Sequence, residues 1–322
     1  MTKPYLSLAS ICGDGGASTL GRMLKSVLNR ADGSLVDEIV LCWNGKDDAA
    51  LEAALNEAYP SKVGHAVRAA LDAAGVFESE SLGLKVIRQV WQNDFSLARN
   101  ESFAHATGDW VLWLDSDDVV ASAADPEGLK AIEAVERSYG ILKDEDEGPQ
   151  NTSTTTFKEF LRRLPWNVNC IRAPYDYGID KGTGYVTVRQ TRRRVVRRGC
   201  YLWRFPIHEL AYPVPGLLES AIDTLGFLVR HFPAEADAAR MERNTDILKA
   251  LNAREKVDME KPAENKNFND ARHAYDVACM HISEGNLAAA DDSIKIAIAR
   301  GGDDQDVYRY RLTRCQINIT RG

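Results

Sequence analysis

Apolar runs closed by small or acidic residues alternate, over the N-terminal part of the chain, with stretches whose apolar positions recur at helical spacing. Residues 5–12 are such a run and end in Gly13, Asp14, Gly15 and Gly16, which predicts a buried first strand and a glycine-rich turn. Leu20, Met23, Leu24, Val27 and Leu28 then keep the period of a helix over 18–28, with Ser18 as its N-cap. A second strand is expected at 39–43, closed by Asn44 and Gly45, and an alanine-rich helix at 49–58. A third strand fits 84–90 and a helix 96–106. A fourth strand at 110–114 runs straight into Asp115, Ser116, Asp117 and Asp118.

Strands alternating with helices imply βαβ units and a mainly parallel sheet, in which ligands bind beyond the carboxyl ends of the strands. The turns at 12–16, 43–48 and 115–118 all follow expected strands, so they belong on one edge of the sheet. After Val120 the pattern is less regular. Residues 144–149 read as an acidic loop, 152–156 lead into an amphipathic helix at 157–164, and 185–189 alternate like a strand before a very basic stretch. From about Ala234 the sequence is helical to its end. The expected fold class is therefore α/β, with an α/β domain at 1–233 and a helical region at 234–322.

A chain of 322 residues, 44% hydrophobic and 27% charged, can bury a sizeable core and suits two domains. Its net charge of −7 argues against a protein that coats nucleic acid but leaves room for a local basic groove. Six cysteines without any CxxC spacing form neither a zinc site nor a disulfide framework and fit a reducing, cytoplasmic setting. The apolar stretch at the N-terminus is too short for a signal peptide, and no apolar run reaches membrane-spanning length. Residues 317–322 still look helical, as in a fragment of something longer.

Asp115 and Asp117 stand two residues apart at a strand end, so in extended geometry both side chains project from one side. Two hard oxygen ligands there suit Mn²⁺ or Mg²⁺, which in turn can hold a diphosphate. An Asp-Ser-Asp-Asp run also makes turns and caps helices, and the pair alone does not choose between the two.

The residues in front of it carry more. Phe95-Ser96-Leu97-Ala98-Arg99-Asn100, followed by Ala106-Thr107-Gly108-Asp109-Trp110 and the strand into Asp115-Ser116-Asp117, resembles the signature of family 2 glycosyltransferases of the GT-A fold. Trp91 to Ser96, the arginines at 192–194 and 197–198, and Pro206-Ile207-His208-Glu209 are similar to a branch of that family with an Ile/Val-His-Glu motif and tetratricopeptide repeats. The resemblance implies a GT-A domain with a Rossmann-like mixed sheet, a nucleotide diphosphate sugar donor, inverting transfer to an acceptor hydroxyl and a divalent metal. It implies metal ligation by Asp115, Asp117 and His208, with Glu209 as general base and Asp176 or Asp180 as competing candidates for that role. Asp14, Asn44, Asp48, Asp94, Arg99, Asp115 and Asp117 are the candidate donor-binding positions. The structural alternative for Arg99 is a surface arginine paired with Glu101 or Asp94.

Two turns depart from the family pattern. Trp43-Asn44-Gly45-Lys46-Asp47-Asp48 stands where an Asp-x-Gly-Ser-x-Asp run is usual, and Gly13-Asp14-Gly15-Gly16 where an Asn-Glu is usual, which leaves the donor's base open. The basic stretch from Arg189 to Arg204 suits either donor phosphates, or an anionic acceptor (glycan, lipid-linked, protein or other polyanion), or pairing with the acidic loop. Ala278, Gly285, Ala290 and Ala297 have the small-residue spacing of a tetratricopeptide unit, either a partner-binding surface or a plain helical hairpin. His231 resembles a family histidine but reads as structural. The rival functions are a catalytically silent scaffold, which the two altered turns motivate, and a nucleotidyltransferase.

Overall fold

The structure, a computed structural model, describes residues 5–28, 34–59, 61–121, 157–179, 185–207, 209–223, 228–232, 243–250, 269–301 and 304–321. The chain divides into two units. The first comprises Met1–Gln92, Leu97–Arg204 and Ala211–Glu235, and the second Asn93–Ser96, Phe205–Leu210 and Ala236–Gly322.

The first unit is built on one sheet. Strands β1 (Leu6–Cys12), β2 (Glu38–Trp43), β3 (Val76–Ser79), β4 (Leu84–Arg88), β5 (Trp110–Trp113), β6 (Asp118–Ala121), β7 (Cys170–Ile179), β8 (Val186–Arg197) and β12 (Leu228–His231) lie in the order β3-β4-β2-β1-β5-β8-β7-β12-β6. Strand β11 (Ala221–Asp223) pairs with β7, while β9 (Tyr201–Arg204) and β10 (Leu210–Pro213) form a separate two-stranded ribbon. The stretch β4-β2-β1-β5 is parallel, and β8 joins antiparallel to both β5 and β7. Strand β1 runs between two parallel neighbours with every residue buried, which is why it carries only apolar and small side chains, Ser7 and Ser10 being hydrogen-bonded to Glu38 and the Leu114 carbonyl.

Helix α1 (Asp14–Leu28) lays Leu20, Met23, Leu24 and Val27 into the core beside Leu6, Leu8, Leu41, Trp43 and Trp110. Each such side chain contributes about 1.5–3 kcal/mol by leaving water. The helix starts at Asp14, four residues ahead of the expected Ser18 cap, and Ser18 is an exposed residue within it. The glycine-rich turn is thus the helix's own first turn. Helices α2 (Asp48–Ala58), α4 (Phe95–His105) and α5 (Phe157–Arg163) lie where the spacing places them, within one or two residues. Helix α3 (Gly64–Ala74) and the edge strand β3 were not expected. The basic stretch does not follow a short strand; it is the body of β8, which runs for 12 residues. The acidic loop at 144–149 and residues 152–156 lie outside the described residues.

In the second unit, helices α6 (Asn269–Ser283), α7 (Leu287–Arg300) and α8 (Asp304–Arg321) share a core of Ala271, Ala274, Ala278, Ala290, Ile294, Ala297, Tyr310 and Ile317. Ala278, Ala290 and Ala297 are fully buried, as small residues at a close helix contact should be. Gly285 takes the left-handed conformation (φ 74°) between α6 and α7, and Asn286 caps α7 by accepting the Ala289 N–H at 3.2 Å. Among the described residues no helix is long and apolar enough to cross a membrane.

Candidate donor and metal site

Strands β1, β2 and β5 deliver three turns to the carboxyl edge of the parallel part of the sheet. The first two are tied together. The Asn44 N–H donates to the Cys12 carbonyl at 2.9 Å, and the Asp14 carboxylate accepts the N–H groups of Lys46 and Asp47 at 2.7 and 2.8 Å. A side chain at Gly13 would stand 2.6 Å from the Asn44 Oδ1, so the turn tolerates only glycine there without a shift. Asp48 accepts Trp43 Nε1 at 2.8 Å and the Arg88 guanidinium at 2.5 Å, and Arg88 holds its carboxyl below the ordinary range. Asp14 and Asp48 therefore shape these turns through contacts of their own. Asp94, which belongs to the second unit, accepts the Ser96 hydroxyl at 2.7 Å beside the start of α4.

The third turn closes on itself, with the Asp118 N–H on the Asp115 carbonyl (3.0 Å) and the Asp115 N–H on Asp118 Oδ2 (3.1 Å). Asp115 is held by Arg99 at 2.5 Å. Arg99 is only 5% exposed, and its guanidinium lies between the rings of Trp203 (4.7 Å) and Trp113 (5.0 Å). It is neither the surface arginine of the structural alternative nor open to solvent. Burial works against the Asp115 charge, yet Arg99, Arg194 and His231 outweigh it and keep its carboxyl below the usual value. On the other side of the turn Asp118, fully buried, accepts the equally buried Arg194 at 2.9 Å.

Strand β12 pairs antiparallel with β6 in a register that sets His231 opposite Asp118, and the Phe232 N–H donates to the Asp117 carbonyl at 2.8 Å. His231 Nδ1 stands 3.5 Å from Asp117 Oδ1 and 3.6 Å from Asp118 Oδ1. Its ring stacks on Tyr177, with centroids 5.2 Å apart and planes 12° apart. Burial disfavours an imidazolium there, but the carboxylates of Asp118, Asp117 and Asp115 outweigh it and raise the His231 pKa.

One ligand-capable atom from each of Asp117, Asp118 and His231 comes within 4.8 Å of the others. Asp118 Oδ1 and His231 Nδ1 are buried and have no hydrogen-bond partner among the described residues. Buried polar atoms without a hydrogen bond are costly unless something else satisfies them, and at 3.5–3.6 Å these atoms and Asp117 stand too far apart to bond one another. Two carboxylate oxygens and an imidazole nitrogen fit Mn²⁺ well and Mg²⁺ acceptably.

The trio differs from the expected Asp115, Asp117 and His208. Asp115 is committed to Arg99, His208 lies outside the described residues, and His231 takes the imidazole's place in the cluster. Asp176, an expected candidate for the base, sits among arginines. Its carboxylate is fully buried, held by Nε and Nη2 of Arg189 at 2.5 and 3.0 Å with Arg230 at 3.5 Å. Asp180 lies outside the described residues. Glu209 is half-buried in the second unit.

Residues 14–176, which take in the second and third turns and the end of the first, match the family model described as Glycosyl transferase family 2. The chain belongs to that family. A TPR repeat-containing protein of Synechococcus elongatus is 36% identical over 69 residues, 21% of this chain; the match spans 17% of that protein's length. Among solved structures, S. aureus TarS aligns over 93% of this chain and 49% of its own, at 11% identity and a TM-score of 0.39. The TarS 1–349 fragment in complex with UDP-GlcNAc aligns over 97% of this chain and 89% of its own, again at 11% and 0.39.

For a family 2 glycosyltransferase the arrangement has a clear division of labour. Asp117, Asp118 and His231 present atoms to a common point, while Asp115, Arg99 and Arg194 fix the turn that carries them. Asp118 was visible in the Asp-Ser-Asp-Asp run. His231 resembles a family histidine in the sequence but reads there as structural, and it is the β6–β12 register that brings it into place.

Proposed function

We propose that this family 2 enzyme transfers a sugar from a nucleoside diphosphate sugar to an acceptor hydroxyl with inversion, and that Asp117, Asp118 and His231 hold the divalent cation it uses. The observation that carries this reading is the pair of buried, unsatisfied atoms, Asp118 Oδ1 and His231 Nδ1, facing Asp117 at the strand-end edge of the sheet. When bound, Mn²⁺ or Mg²⁺ would supply charge that stabilises a leaving diphosphate.

The protein's own residues do the rest. Arg99 and the two tryptophan rings keep Asp115 ionised and fixed, so the turn keeps its shape without the cation. Arg194 does the same for Asp118 from the opposite side. The N-terminal turn of α1 comes close to Ser116, since a side chain at Gly16 would stand 3.1 Å from the Ser116 Cβ. That places the positive end of a 15-residue helix beside the carboxylate turn, where it favours an anion. Glu209 is the proposed general base, on the strength of its place in the Ile-His-Glu segment. The donor site belongs to 1–233, with the tetratricopeptide-like helices of 234–322 proposed as a partner surface and the cytoplasm as the setting.

The test is to incubate the chain with UDP-, GDP- and ADP-sugars and Mn²⁺ and to identify the nucleotide product. Free nucleoside diphosphate from one donor supports the reading. Pyrophosphate would move the chemistry to nucleotidyl transfer, and no turnover together with no nucleotide binding would favour a silent scaffold.

A further inference from the structure

Strand β8 carries five arginines, and four of them are accounted for. Arg189 grips Asp176, Arg193 holds Glu219 at 2.6 Å, Arg194 binds Asp118, and Arg197 donates to the Val168 carbonyl at 2.6 Å. Arg192 is different. It is half-buried, opposite Ala173 in the β7–β8 register, and makes no hydrogen bond or ion pair with any described residue. Its place opposite Ala173 puts it on the sheet face of Tyr175, whose ring lies 4.2 Å from the Arg194 guanidinium and 6.1 Å from the His231 ring. Arg192 therefore shares the face that leads through Tyr175 to His231, and Tyr177, stacked on that histidine, is 43% exposed.

A partly desolvated guanidinium with a second arginine nearby and no anionic partner among the described residues is in an unfavourable arrangement. Burial first and Arg194 second press its pKa down, in keeping with that strain. The same features suit a site that receives an anion, because a guanidinium offers a planar fork to phosphate oxygens and loses little freedom in binding them.

We propose that Arg192 binds the diphosphate of the sugar donor, donating to its oxygens next to the Asp117–Asp118–His231 cluster and so positioning the leaving group. This rests on the donor reading given above. It assigns to one residue a task that the arginine-rich sequence spreads over a whole strand.

The experiment compares wild type, Arg192→Met and Arg192→Lys, as full chains, by calorimetry with inorganic pyrophosphate, with UDP, GDP and ADP, and with the matching nucleosides, all in Mn²⁺. Methionine keeps the apolar stem and relieves the repulsion from Arg194, so folding is expected to survive, and thermal melting checks it. Affinity for pyrophosphate and for the preferred nucleoside diphosphate should fall about 10- to 100-fold in Arg192→Met, the range for one lost charge-assisted hydrogen-bond pair. Lysine should restore part of it, and nucleoside binding should not change. Equal pyrophosphate affinity in wild type and Arg192→Met overturns the assignment whatever nucleotide binds. Arg192-dependent binding of pyrophosphate by a wild type that takes up no nucleoside diphosphate would instead overturn the donor reading and leave an anion site of another kind.

Discussion

Removing the Asp118 carboxylate should destabilise the first unit far more than removing Asp117, although both belong to the same cluster. Asp118 Oδ2 accepts Arg194 at 2.9 Å and the Asp115 N–H at 3.1 Å, and neither member of the ion pair is exposed at all. Arg194 Nε and its other terminal nitrogen are buried without partners among the described residues, so Asp118 is its main neutralising contact. What remains after Asp118→Ala is stacking on Trp113 (4.0 Å) and Tyr175 (4.2 Å), which offsets only part of the charge. Breaking one side of a wholly buried pair costs about 3–5 kcal/mol, a large share of the 5–15 kcal/mol that typically separates folded from unfolded. Asp117, with its side chain 20% exposed, should cost about 1 kcal/mol or less when changed to Ala. Urea unfolding followed by tryptophan fluorescence measures both. The reasoning would be refuted by an Asp118→Ala midpoint close to that of Asp117→Ala. A second control is internal: Asp118→Leu with Arg194→Met removes both charges and should regain most of the loss, because an apolar pair of similar volume replaces a buried ion pair at little cost.

Further expectations concern chemistry and pH. Glu209→Gln should bind donor and metal as wild type does while turnover drops at least about 100-fold, as for loss of a general base; unchanged turnover in a product-release assay would remove Glu209 from that role. Asp37 accepts the Tyr5 and Leu6 N–H groups at 2.9 and 3.1 Å and Lys158 at 2.7 Å. Burial pushes its pKa up, but Lys158 and the two amides win and lower it. A depressed carboxyl pKa stabilises the fold above the unfolded-state value near about 4 and ceases to do so as pH falls through the folded-state value. Asp37→Asn should therefore cost about 1–2 kcal/mol at neutral pH, discounted for partial exposure, and nothing near pH 2; a deficit that persists at pH 2 would show that the charge is not the cause.

Much of the first unit was legible because its elements follow one period at a time. The apolar runs of β1 and β2 and the helical spacing of Leu20, Met23, Leu24 and Val27 need no tertiary information. Helix α3 went unrecognised although Gly64, Val67 and Leu71 line one buried side of it, and β3 is a short, largely exposed edge strand. Strand β8 was the larger surprise. In sequence its arginines suit donor phosphates, an anionic acceptor or the acidic loop, yet Asp176, Glu219 and Asp118 neutralise three of them. The site was half legible for the same reason. The Asp-Ser-Asp-Asp turn is local, whereas His231 and Arg194 reach it only through strand pairing, and no spacing rule in one sequence encodes that register.

The central claim is that Asp117, Asp118 and His231 form one metal site, and Mn²⁺ binding followed by electron paramagnetic resonance tests it most directly. Wild type should take up one Mn²⁺, with affinity increased by the preferred nucleoside diphosphate. His231→Ala should weaken that binding by at least about 10-fold while melting within a few degrees of wild type. A His231→Ala protein that binds Mn²⁺ as tightly as wild type would contradict the account and return the cation to Asp115 and Asp117.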